Sequence, residues 1–104
     1  MSFLVELSPA AETDLERLFD FLLERAETAE ELDRAQDAIE AIRSAARHRL
    51  SITPFSFRKA GRNPAQRELV IPFGSIGYLA LFEIVSPLKV VVLAVRHQHE
   101  EDYH

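Results

Sequence analysis

At 104 residues, with 47% hydrophobic and 28% charged residues and no cysteine, the chain has the composition of one globular domain over residues 1–104, without disulfides or thiolate chemistry. No apolar run reaches the ~18 residues of a membrane span, and the opening Met1-Ser2-Phe3-Leu4-Val5-Glu6 lacks the basic and apolar regions of a secretory signal, so a cytoplasmic protein with no membrane partner is expected. The net charge of −5 argues against a simple nucleic-acid binder, yet acids dominate from Glu6 to Glu40, whereas Arg43, Arg47, Arg49, Arg58, Lys59, Arg62 and Arg67 follow with no Asp or Glu among them.

Phe3 to Leu7 is a short β-type run, after which Ser8 offers a capping hydroxyl and Pro9 suits a first helical position. Ala11, Leu15, Leu18, Phe19, Leu22 and Ala26 then recur at three- and four-residue intervals, which predicts a helix ending near Ala26 with one buried stripe. Thr28-Ala29-Glu30-Glu31 matches a capping box. The stripe after it, Leu32, Ala35, Ile39, Ile42, Ala46 and Leu50, makes the second helix the other arm of an antiparallel hairpin. Ser51 to Gln66, broken by Pro54, Gly61 and Pro64, has no sustained period and reads as a loop.

Three β-type runs follow, Arg67 to Ile71, Gly77 to Val85 and Lys89 to Arg96, separated by Pro72-Phe73-Gly74-Ser75 and Ser86-Pro87. The predicted fold is therefore α+β: an N-terminal strand and a helical hairpin packed on a mainly antiparallel sheet that a C-terminal three-strand meander completes. In the middle run Tyr78, Ala80, Phe82 and Ile84 point one way, while Leu79, Leu81 and Val85 point the other beside Glu83. In the last run Val90, Val92 and Ala94 oppose Val91, Leu93 and Val95. Both faces are apolar, but two helices cover only one, so a second covering body is expected on the other. Phe21, off the first helix's apolar stripe among Asp14, Arg17 and Arg25, reads as a candidate partner contact or as an ordinary exposed aromatic. Ala38, Ala41 and Ala45 are compatible with close approach of another helix or are simply good helix formers.

The basic stretch reads either as a surface for phosphate or an acidic protein or as a solvated helix end and polar loop, since Arg43, Arg47 and Arg49 suit the negative end of a helix. His97-Gln98-His99, with His104 nearby, invites a metal reading, but zinc sites need three or four convergent ligands and His48 is distant in sequence. No metal site and no cofactor are expected. Ser51, Ser56, Ser75 and Ser86 lack the setting of a nucleophile elbow, and no phosphate-binding glycine loop is present.

Leu7-Ser8-Pro9-Ala10-Ala11-Glu12 with Asp14-Leu15, then Arg67-Glu68-Leu69, and at the end Val92-Leu93-Ala94-Val95-Arg96-His97-Gln98-His99, resemble in their joint order the RelE/ParE toxins of type II toxin–antitoxin, or plasmid-stabilisation, modules. The last run is most similar to the ParE-like branch. The resemblance implies a cognate antitoxin forming a hetero-oligomer with the chain, with Phe21, Leu79 and Leu81 as antitoxin contacts. It implies DNA gyrase as the target, with Arg58, Lys59, Arg62 and His99 facing it and no catalytic residue. The alternative branch, resembling RelE, is a ribosome-dependent, metal-independent mRNA endonuclease. There Arg67 and Arg96 would hold phosphate, and His97 with Tyr103, six positions later, would serve proton transfer. Glu100-Glu101-Asp102 beside Tyr103 would repel an RNA backbone. A third alternative is an interaction module that keeps the fold without toxicity.

Overall fold

The computed structural model describes residues 2–104; Met1, which opens the N-terminal run discussed above, lies outside them. The chain forms β1 (Leu4–Leu7), α1 (Pro9–Arg25), α2 (Ala29–Ile52), a 3-10 turn (Pro54–Ser56), β2 (Arg58–Lys59), β3 (Gln66–Phe73), β4 (Ile76–Ser86) and β5 (Lys89–His97). The strands make one sheet in the order β1-β5-β4-β3-β2. β1 runs parallel to β5, pairing Leu4 with Lys89 and Leu7 with Val92, and the remaining neighbours are antiparallel. The expected α+β layering and element order are observed, with one addition. β2 lies inside the stretch predicted as loop, where two residues paired to Glu68 and Arg67 are too few to show any periodicity. Among the described residues no helix is long and apolar enough to cross a membrane.

The helices start where their caps dictate. Ser8 Oγ accepts the Ala11 N–H at 3.1 Å, and Pro9 follows it. Thr28 Oγ1 accepts the Glu31 N–H at 3.1 Å and its hydroxyl donates to the Glu31 carboxylate at 3.4 Å, in place of the Thr28 backbone N–H that a full capping box presents. The β3–β4 connection is a two-residue hairpin turn with Gly74 at φ 60° in its first central position, a backbone that side chains disfavour.

On the sheet's inner face Leu69, Ile71, Tyr78, Ala80, Phe82, Val90, Val92 and Val95 pack against Leu15 and Leu18 of α1 and Ile42 and Leu50 of α2. Each large side chain so buried contributes roughly 1.5–3 kcal/mol. The α2 stripe differs from expectation: Leu32 is 45% exposed, whereas Ala38 is buried. The buried register runs Ala35, Ala38, Ile42, Ala46, Leu50, and one further step of four towards the N-terminus lands on Glu31 instead of Leu32. Ala38 and Ala45 thus pack into this chain's own core, not against a foreign helix.

The other edge of β5 is closed by two means. β1 covers it as far as Val92; beyond that point α1 takes over with side chains. Ser8 Oγ donates to the Leu93 carbonyl at 3.1 Å, the buried Asp14 carboxylate accepts the Val95 N–H at 2.8 Å, and Arg17 donates to the Val95 carbonyl at 3.3 Å. The backbone groups of a half-paired strand are thereby satisfied.

The outer face corrects the expected shortage of cover. Leu79 is only 7% and Ala94 only 8% exposed, because the segment after His97 turns back over them. Gln98 N–H donates to the Gly77 carbonyl and Glu100 N–H to the His97 carbonyl, both at 3.0 Å. Tyr103 then spans Glu68 and Arg96, which flank Leu81 and Leu79 in the strand register. Leu81 is half-buried, and Val70 and Val85 beyond the segment remain 42% and 45% exposed.

Candidate functional site

The C-terminal segment is fastened across the outer face by polar side chains from four places in the chain. Tyr103 Oη donates to Glu68 Oε2 at 2.6 Å, and the Arg96 guanidinium lies 5.0 Å from the Tyr103 ring centroid. Arg58 donates to the other Glu68 oxygen, and Arg96 donates to the Glu100 carbonyl. Glu100 accepts from Arg17 at 2.5 Å, from the His97 N–H at 2.7 Å, and pairs with His104 at 3.1 Å. Burial pushes the Glu68 carboxyl up, but the Tyr103 hydroxyl and the Arg58 guanidinium outweigh it and hold the group below its usual range. At Glu100 burial is likewise overcome by the His97 N–H, Arg17 and His104. Burial, and then the Glu68 carboxylate, raise the Tyr103 phenol well above its ordinary value, so it remains a proton donor to Glu68.

Successive strand residues face opposite ways, so His97 leaves Arg96 on the outer face and points towards α1. Its ring meets Tyr78 edge-on at 5.5 Å and lies 5.1 Å from the His99 ring. His97 Nδ1 accepts the His99 N–H at 3.1 Å. Burial, then the His99 charge, lower its pKa against the opposing pull of Glu100. Both histidines line a cleft of about 450 Å³, whose other walls are Arg17, Leu18, Phe21, Leu22, Ile76, Tyr78 and Glu100. Among the described residues no three His, Asp or Glu side chains converge as metal ligands.

The structure divides the basic stretch. Arg43 is held bidentate by Glu12 at 2.9 and 2.7 Å on the helical hairpin. Arg67 donates to the Phe55 and Phe57 carbonyls at 3.3 and 2.9 Å, and Arg49 sits over the Phe57 ring at 4.9 Å, so both buttress the 3-10 turn. Arg58 is paired with Glu68. Lys59 and Arg62 are exposed and have no carboxylate within ion-pair distance among the described residues.

Of the residues singled out for RNA chemistry, Arg96 and Tyr103 meet on the outer face. His97 lies on the opposite face in the cleft, and Arg67 is bound to turn carbonyls. His99 belongs to the cleft and not to the basic loop of Arg58, Lys59 and Arg62. Of the residues singled out as antitoxin contacts, Phe21 is 49% exposed at the mouth of the cleft, whereas Leu79 lies beneath the C-terminal segment. Sequence reading missed Asp14, Glu68 and Glu100 as organising groups. Their partners lie 81, 35 and 83 residues away, at separations that no local spacing reports.

Residues 5–102 match the profile of the ParE toxin of the type II toxin–antitoxin system parDE. The toxin RelE3 of Caulobacter vibrioides is 36% identical to this chain over 96 residues, covering 92% of the chain and 95% of that protein. The chromosomal ParDE toxin–antitoxin system from P. aeruginosa has a chain of similar fold, with a TM-score of 0.70 at 14% identity, covering 92% of this chain and 96% of that one. The RelBE2 toxin–antitoxin complex from Mycobacterium tuberculosis gives a TM-score of 0.63 at 19% identity, covering 94% and 100%. At these identities the two solved structures establish a shared fold.

Proposed function

The chain belongs to the ParE toxin family of type II toxin–antitoxin systems, and from that premise we propose that it arrests growth by ParE-like inhibition of DNA gyrase and is neutralised by a cognate antitoxin. The observation that supports a binding mode over a nuclease is the dispersal of Arg67, Arg96, His97 and Tyr103. Cleavage by 2′-hydroxyl attack needs a base, an acid and a phosphate clamp converging on one bond. Here the phenol is given to Glu68 and the imidazole faces the other way, so no single phosphate meets both. In this reading Lys59 and Arg62, with Arg58 beside them, and His99 at the cleft form two separate contacts with the target. The antitoxin covers Phe21, and reaches Leu79 and Leu81 only when the C-terminal segment is displaced.

The test is direct. Purified chain added to gyrase and relaxed plasmid abolishes supercoiling, and its induction in bacteria arrests growth while transcripts stay intact. Reversing Lys59 and Arg62 to Glu weakens the inhibition about tenfold, the scale set by a few exposed charge pairs. Harmless accumulation at high level would instead leave an interaction module that keeps only the fold.

The RelE-like alternative, a ribosome-dependent mRNA endonuclease, draws on the six-residue spacing of His97 and Tyr103, and requires the tail to swing Tyr103 off Glu68. Ribosome-dependent transcript cleavage that disappears in His97→Ala and Tyr103→Phe would establish that reading and remove gyrase from the account.

A further inference from the structure

Phe21 sits where two surfaces of different character meet. On one side is the cleft floored by Leu18, Leu22, Ile76 and Tyr78, which continues through Leu22, Ile76 and Tyr78 into a second hollow of about 180 Å³ beside α2 and Phe73, rimmed by Arg25, Glu31 and Arg34. An open apolar trough of this kind is stabilised by a covering body. On the other side is a shelf formed by Thr13, Glu16, Asp20 and Glu24 along α1, with Arg17 at its edge. Its three carboxylates stand four residues apart on one helix face, a spacing at which like charges repel. Among the described residues none of the three has a cation within ion-pair distance. The neighbouring cations are engaged elsewhere: Arg17 with Glu100 at 2.5 Å and Asp14 at 3.7 Å, Arg25 over the Phe21 ring at 3.6 Å, and Arg34 over the Phe73 ring at 5.8 Å.

We infer that the trough and its acidic shelf form one docking groove for a basic amphipathic segment of the antitoxin, whose apolar residues enter the cleft beside Phe21 while its Lys or Arg side chains pair with Glu16, Asp20 and Glu24. This rests on the reading that the chain has an antitoxin, and adds the chemistry of the segment and its place. Charge selects the occupant. A nucleic acid is repelled by the shelf, and a second copy of this chain brings a net charge of −5 against an equal one. A polypeptide that supplies cations relieves the repulsion along α1 and closes the trough in one step.

Two synthetic amphipathic peptides with the same leucine stripe, one carrying Lys and the other Glu at its polar positions, test the chemistry by calorimetry on the full chain. The Lys peptide binds about tenfold tighter at 0.1 M salt, the preference collapses at 1 M, and Glu16→Gln with Asp20→Asn and Glu24→Gln abolishes it. Phe21→Ala weakens binding about thirtyfold at either salt, as loss of a central aromatic anchor does. Equal binding of the two peptides overturns the inference without need of any variant. So does self-association of the chain that Phe21→Ala abolishes, which assigns the trough to a second copy. The cognate antitoxin, purified with the chain, separates the two levels. Tight binding that ignores both sets of substitutions removes this groove but keeps the antitoxin, whereas no binding to the unaltered chain removes the antitoxin reading itself.

Discussion

The two faces of the sheet carry similar apolar sequence and are closed by different physics. The inner face is sealed by α1 and α2, each set by its own capping residue, and its side chains lie among other side chains with almost no water contact. The outer face is covered over Leu79 and Ala94 by the short segment after His97, held mainly by side-chain hydrogen bonds and ion pairs to Glu68, Arg96 and Arg17, and stays open at Val70 and Val85. Equal hydrophobicity therefore does not confer equal permanence. A packed face opens only with the whole fold, while a strapped face opens locally at far lower free energy.

The largest expected effect comes from the inner face. Phe82 is fully buried at the centre of β4, and Phe82→Ala should lower unfolding free energy by about 3–5 kcal/mol, read as a fall in the urea midpoint. A loss below about 1 kcal/mol would mean that this face is not the closed core described. Asp14 comes next, since its carboxylate answers the Val95 N–H at a point where β5 has run out of its β1 partner. Asp14→Ala leaves a buried donor unmet and should cost about 2–3 kcal/mol in the same experiment. An effect no larger than that of an ordinary surface substitution would show that water replaces the carboxylate freely.

What sequence revealed and what it hid divides along the same line. The helix caps at Ser8 and Thr28, the inner stripe of α1 and the alternation along β4 are short-range patterns, and each was legible because its period or cap chemistry lies within a few residues. The family resemblance was legible in the order of motifs. The covering of Leu79 and Ala94 was not, because it depends on Tyr103 meeting Glu68 across 35 residues, and an acidic tail reads as solvated. In sequence Glu100 is a repulsive charge beside two further acids, yet Arg17, 83 residues away, makes it a fastening. The basic stretch misled in the opposite sense. Contiguity in sequence allows one surface, whereas α2 and the 3-10 turn send Arg43 to Glu12 and both Arg49 and Arg67 to Phe57.

The smallest expected effect belongs to the strap, and its pH dependence sharpens the contrast most. Tyr103→Phe removes one hydrogen bond to a carboxylate and should favour the open segment by about 1–1.5 kcal/mol, seen as faster hydrogen exchange at Gln98 and Glu100 with little change in the urea midpoint. His97, Glu68 and Glu100 all have lowered pKa values in the closed state, so that state binds fewer protons than the open one at each group. Their contribution is complete above the ordinary values and is lost as pH falls through the lowered ones. Opening should accordingly begin below the ordinary histidine value of 6.5, driven by His97, and increase again below the carboxyl value of 4.5, driven by Glu68 and Glu100. His97→Asn should erase the first stage and leave the second. With no tryptophan in the chain, emission from Tyr78 and Tyr103 can follow both stages, and Tyr103→Phe should remove most of the signal. A single transition in which that signal and the helix circular dichroism change together would show that the outer face has no separate equilibrium.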